Sequence, residues 1–164
     1  SHADYYALDL LASILAQGES SRLFKGLVDK ELALEVYAEQ PQSFDPNLFY
    51  VYANAASGVS ADKLEQALVA EVNRIASNGV SKEELDKVRN FKLMQFYREM
   101  ETINGKANML GTYELYFGSY QRLFDAPNYY NKVSSADIQR VAKTYLKKSN
   151  RSVAILDAKE DLDL

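Results

Sequence analysis

A hydrolytic metal site needs three protein ligands and a fourth position for an activated water, and imidazole nearly always supplies part of that set. This 164-residue sequence holds one histidine, His2, and no cysteine. A His-x-x-Glu-His helix cannot be written from it, nor a serine or cysteine nucleophile paired with a histidine base. Its seven glycines are scattered, and none forms a Walker or dinucleotide loop, which disfavours nucleotide chemistry. The acidic groups Glu83-Glu84, Asp161 and Asp163 fall at a helix start and in the tail, where dipole complementarity and solvation explain them. Tyr113, Tyr116, Phe117 and Tyr120 have the side chains of a peptide-binding wall, yet their helical spacing fits a half-buried core face equally well, and core packing is the favoured reading. Asn150-Arg151-Ser152 matches a glycosylation acceptor, a tripeptide short enough to recur by chance.

The elements that would position any such groups belong to one domain. A chain of this length can bury roughly 70% of its unfolded surface. With 47% hydrophobic and 26% charged residues it sits at the globular average. The net charge of -4, with no basic cluster longer than Lys147-Lys148, disfavours nucleic acid as a partner. No apolar run approaches the ~20 residues that cross a bilayer, so no membrane partner is expected. Ser1-His2-Ala3 reads as a cloning remnant, residues 4–157 as a single domain, and 158–164 as an acidic tail.

Dense apolar positions from Tyr6 to Leu15 predict a helix buried on most sides, ending near Gly18. Ser20 or Ser21 can cap a second helix carrying Leu23, Phe24, Leu27 and Val28. Leu32 to Glu39 alternates, with Leu34, Val36 and Ala38 on the face predicted to be buried. After the polar loop Gln40–Asn47, with its two prolines, Leu48–Ala53 completes an antiparallel hairpin. Ser60 and Gly79 bracket the next helix, and Ser81-Lys82-Glu83-Glu84 is a capping box. Glu83 to Phe117 reads as two helices broken near Asn104-Gly105, followed by a loop at Ala126-Pro127-Asn128. A final helix from Ser134 or Ser135 leads to an apolar strand, Val153-Ala154-Ile155-Leu156. The order gives an α+β fold, a small mixed or antiparallel sheet covered by helices.

Four ordered segments carry a resemblance. Ala7–Leu15 followed by Gly18-Glu19-Ser20-Ser21-Arg22-Leu23-Phe24 is similar to a helix and Gly-x-x-Ser-Arg-Leu turn of the insulinase/pitrilysin zinc metallopeptidases, which include the mitochondrial processing peptidases. Leu27–Val36 resembles that family's helix-to-strand segment, Gly79–Asn90 its Gly-Val-(Thr/Ser)-x-x-Glu-Leu helix start, and Ser135–Leu146 its closing helix. The resemblance implies a metallopeptidase-like domain that faces a zinc-bearing domain across a substrate chamber. It further implies no metal in this domain, zinc in the parent's other domain or subunit as partner, a peptide or unfolded protein as substrate, and a periplasmic or secreted location. In active relatives the facing domain contributes an Arg and, seven residues on, a Tyr; the matching positions here are Val28 and Glu35, and neither can serve as that cationic or phenolic donor.

The rival reading is a degenerate assembly module without proteolytic role, which the absence of a His-x-x-Glu-His in the flanking gene sequence would favour. A third, an independent small-ligand binder, has no supporting motif. Family domains usually open with a strand, and nothing precedes Asp4 but the three-residue remnant, so the sheet is expected to lack a member. Unpaired strand edges invite pairing. The fragment is therefore expected to form homodimers that light scattering detects at micromolar concentration, and a clean monomer would count against this.

Overall fold

The computed structural model describes residues 4–43, 45 and 47–156. The expected remnant (1–3) and acidic tail (158–164), together with Asp157 and with Phe44 and Pro46 of the polar loop, lie outside that set. Helix α1 (Tyr5–Ala16) is the centre of the domain. Every residue from Ala7 to Leu15 is buried, as expected of a helix apolar nearly all round. Gly18, at φ +75°, turns the chain out of it, a conformation glycine adopts at no steric cost. A single turn then widens into a π-helix (Phe24–Val28) that buries Leu27.

Strands β1 (Ala33–Glu39) and β2 (Tyr50–Ala55) form an antiparallel hairpin, the one sheet among the described residues. Glu31, at φ 56°, makes the tight approach to β1. The expected alternation fails at Leu34. Ala33 pairs with Ala55 and Glu35 with Asn54, so Leu34 is the extra residue of a β-bulge. The bulge places Ala33, Val36 and Ala38 on the core face and leaves Leu34 65% exposed. Helices therefore cover one face of the sheet, packing against Val36, Ala38, Val51 and Ala53, while the other face carries Tyr37 and Tyr52 outward.

Helix α2 (Ala61–Asn78) starts at the Ser60 cap and stops at Gly79 as read from the sequence. Helix α3 (Lys82–Glu101) starts at the Ser81/Glu84 capping box. The break before α4 (Ile103–Phe117) falls at Thr102, whose hydroxyl accepts from the Gly105 amide. Gly105 is needed for a different reason than expected: a Cβ there would lie 2.2 Å from the Glu99 carbonyl oxygen.

Two further expectations fail. Ala126-Pro127-Asn128 is not a loop but part of helix α5 (Arg122–Lys132). Proline inside a helix costs about 3 kcal/mol, and fully buried Leu123 and Ala126, with Tyr130 against the core, supply the opposing burial. Helix α6 (Ser135–Tyr145) forms as expected, capped reciprocally by Ser134 and Asp137. Beyond it, Val153–Leu156 is not a strand; Val153, Ile155 and Leu156 are exposed. A strand exists only where a neighbour takes its backbone hydrogen bonds, and the described hairpin does not pair with this segment.

The bulge makes a sharp prediction. Leu34→Ser should change stability by under about 0.5 kcal/mol, as exposed substitutions do, whereas Leu23→Ala, which empties a fully buried site, should cost about 2–5 kcal/mol. Urea denaturation of both variants checks the contrast.

Candidate functional site

The turn after α1 and the start of α3 are clamped together. Arg22 Nε donates to Glu84 Oε1 at 2.5 Å and Arg22 Nη2 to Oε2 at 2.8 Å, a two-pronged pair. Glu84 Oε2 also accepts from the Ser81 amide at 3.0 Å, and Ser81 Oγ accepts from the Glu84 amide at 3.2 Å. The hydrogen bond from Arg22 holds the Glu84 carboxyl below its ordinary range. Ser20 and Ser21 do not cap the short helix. Ser20 Oγ instead accepts from Lys87 Nζ at 2.6 Å, and the buried Ser21 hydroxyl has no hydrogen-bond partner among the described residues. Gly26 lies so close to buried Glu71 that a Cβ would come within 2.6 Å of its Oε1.

Behind this clamp lies a polar cluster in the interior. Asp9, on the buried centre of α1, accepts from Lys92 Nζ at 2.8 Å and from the Tyr130 hydroxyl at 2.7 Å. An unpaired charge at such a depth would cost several kcal/mol; here α3 and α5 each send one donor to it. Burial and the Asp9 charge push the Tyr130 and Tyr5 phenols far up, so both stay protonated. At the other end of α1, Asp4 accepts from Arg140 and Tyr145 of α6 at 2.6 and 2.8 Å. Every one of these groups is engaged in holding helices together.

The open surface is the outer face of the hairpin. Tyr37 stands directly opposite Tyr52, Glu39 opposite Tyr50, and Glu35 opposite Asn54. Tyr37 and Tyr52 are each about half exposed, at 52% and 53%. At the far end of β1 a cleft of about 250 Å³ opens between the strand and the helices, lined by Tyr37, Glu39, Gln40, Gln17, Lys92 and Gln95.

The two positions matching the family's substrate-contacting pair sit apart in character. Val28 ends the π-helix and packs against the core, whereas Glu35 is exposed on the outer hairpin face. Tyr113, Tyr116 and Phe117 are half-buried, with the Tyr113 and Phe117 rings 4.9 Å apart, whereas Tyr120 is 48% exposed and α4 has no fully buried residue. The sequence reading did not single out the Tyr37–Tyr52 pair. Its signal is the cross-strand register, which only the pairing of β2 with β1 fixes.

These residues do not fit zinc. Among the described residues no three His, Cys, Asp or Glu side chains come together as a cation cage. The buried carboxylates of Asp9 and Glu71 are already held by Lys92 and Arg74. No hydrolytic step is assigned to this domain's own side chains.

The sequence pattern of the Peptidase M16 inactive domain matches residues 1–91. The chain is 29% identical over 156 residues to the zinc protease PqqE of Helicobacter pylori, covering 94% of this chain and 35% of that protein. Of solved structures, an inactive peptidase domain from Bordetella parapertussis is 30% identical with a TM-score of 0.84, covering 93% of this chain and 82% of that one. A protease from Helicobacter pylori is 28% identical, also with a TM-score of 0.84, covering 92% and 36% respectively. The chain thus spans about a third of the length of the curated relatives it matches.

The clamp has a pH signature. Because the folded-state pKa of Glu84 lies below its unfolded value, the pair's contribution is present above pH of about 4.5 and is lost as pH falls through the folded value. Arg22→Ala should lower stability at pH 7 by roughly 1–2 kcal/mol, reduced by the pair's partial exposure. It should also flatten the stability curve below pH of about 5. Thermal melts of both proteins across pH 3 to about 7 test this, and parallel curves would reject it.

Proposed function

Because the chain belongs to the Peptidase M16 inactive domain family, we propose that it is the non-catalytic wall of a peptide-hydrolysing chamber in a longer zinc metalloendopeptidase. The metal and its activated water would belong to another domain or subunit of the parent, the partner against which this one closes. The observation that carries the reading is the asymmetry of the hairpin. One face of the sheet is packed by helices, and the other presents Tyr37, Tyr50 and Tyr52 unpacked. A tyrosine offers a rigid ring for contact and a hydroxyl for water at small entropic cost, which suits a surface that holds many peptides weakly.

The domain would then bind and orient a peptide while supplying no group to the reacting carbonyl. Val28 and Glu35, where active relatives carry an Arg and a Tyr, support a wall without an oxyanion donor. The same two residues also favour a second reading, a peptidase-like half retained for assembly.

The experiment uses the full-length parent. Tyr37→Ser with Tyr52→Ser should raise KM about tenfold for an unstructured peptide while kcat stays within about twofold, the pattern of lost uniform binding. Purified alone, the 164-residue chain should neither cleave that peptide nor bind zinc stoichiometrically. Cleavage by the chain alone would overturn the proposal, and a parent without peptidase activity would favour the assembly reading.

A further inference from the structure

The charge of the hairpin is as one-sided as its packing. Between Lys30 and Lys63 the sequence contains no lysine, arginine or histidine, while Glu31, Glu35, Glu39, Asp45 and Asp62 fall inside that stretch. Outside it the two signs balance, with 19 Lys plus Arg against the remaining 18 Asp plus Glu. The cation-free stretch is the segment that forms both strands and the loop between them.

The fold gathers those carboxylates with aromatic rings. Glu35 and Glu39 are exposed on the same outer face as Tyr37, Tyr50 and Tyr52, since residues 35, 37 and 39 alternate along β1 and pair with 54, 52 and 50 of β2. The Glu39 carboxylate, two residues along the same strand face, holds the Tyr37 phenol above its ordinary range, so ring and carboxylate are neighbours on this surface. The cleft at the end of β1 continues this surface, and the one ammonium among its lining residues, that of Lys92, is neutralised by Asp9.

Resting on the chamber-wall reading above, we propose that the outer hairpin face selects extended, positively charged peptide segments, with lysine or arginine side chains lying over Tyr37 and Tyr52 and pairing with Glu35 and Glu39. A cation over an aromatic face is attracted by the ring quadrupole and by the neighbouring carboxylate together. The alternation of the strand presents these groups on every second residue, the spacing at which an extended peptide repeats its own side chains. A second copy of this chain is a poor occupant face to face, because the same acids would oppose one another. The contacts are exposed, so the selection is salt-sensitive, with a screening length of about 8 Å at physiological ionic strength.

The test titrates the isotopically labelled 164-residue chain with an unstructured Lys/Arg-containing peptide and with length-matched analogues carrying Gln or Glu at the same positions, followed by amide NMR shifts. The cationic peptide should shift Glu35, Tyr37 and Tyr52 and bind at least roughly tenfold tighter than the Gln analogue at low salt. That margin should shrink at physiological salt. Glu35→Gln with Glu39→Gln should abolish the margin while leaving the Gln analogue's binding and the melting temperature unchanged. Equal binding of the three peptides on this face, or an unaltered margin in the double variant, would overturn the charge selection and leave the chamber-wall reading standing. No shift on this face with any peptide would overturn both.

Discussion

Glu84 is where separate parts of the chain become one structure. Its carboxylate takes both prongs of Arg22 and caps the Ser81 amide, while its own amide is capped in return by Ser81. A helix start usually varies by a residue or two; this one is pinned from outside by a guanidinium whose planar fork accepts one orientation. Two turns further along the same helix, Lys92 reaches Asp9 on the buried centre of α1. The clamp at the surface and the ion pair in the interior thus constrain the same pair of helices, one at the end and one in the middle.

Placing Asp9 in the centre of a helix buried on all sides is a costly choice that apolar packing alone would not make. It is sustained because α3 and α5 each deliver a donor, and the tyrosines around it are too deeply buried to lose their protons. Such a cluster specifies which helices neighbour α1, since any other arrangement leaves a buried charge unanswered. The result is a stiff helical layer that carries a two-stranded sheet on its front.

That division suits a wall better than a catalyst. Catalytic groups need to be poised in a cleft with perturbed protonation and spare hydrogen-bonding capacity. Here Glu84, Asp137, Tyr5 and Tyr130, all shifted from their ordinary ranges, are engaged in capping, clamping or burial. The groups left facing solvent on the sheet are tyrosine rings and carboxylates.

What the sequence determined by itself was whatever depends on neighbours within about four residues: the caps at Ser60 and Ser81, the stop at Gly79, the apolar mass of α1, and the absence of a zinc ligand set. Its ordered motifs also identified the family, because helix starts and turns are written locally. What only the tertiary structure decided depends on distant partners. Pro127 sits inside α5 because Leu123 and Ala126 are buried by other helices, and Val153–Leu156 is not a strand because no described strand accepts it. Leu34 faces outward because β2 sets the register of β1. Period-two alternation assigns faces only until one inserted residue reverses them, and the insertion is visible only against the opposing strand.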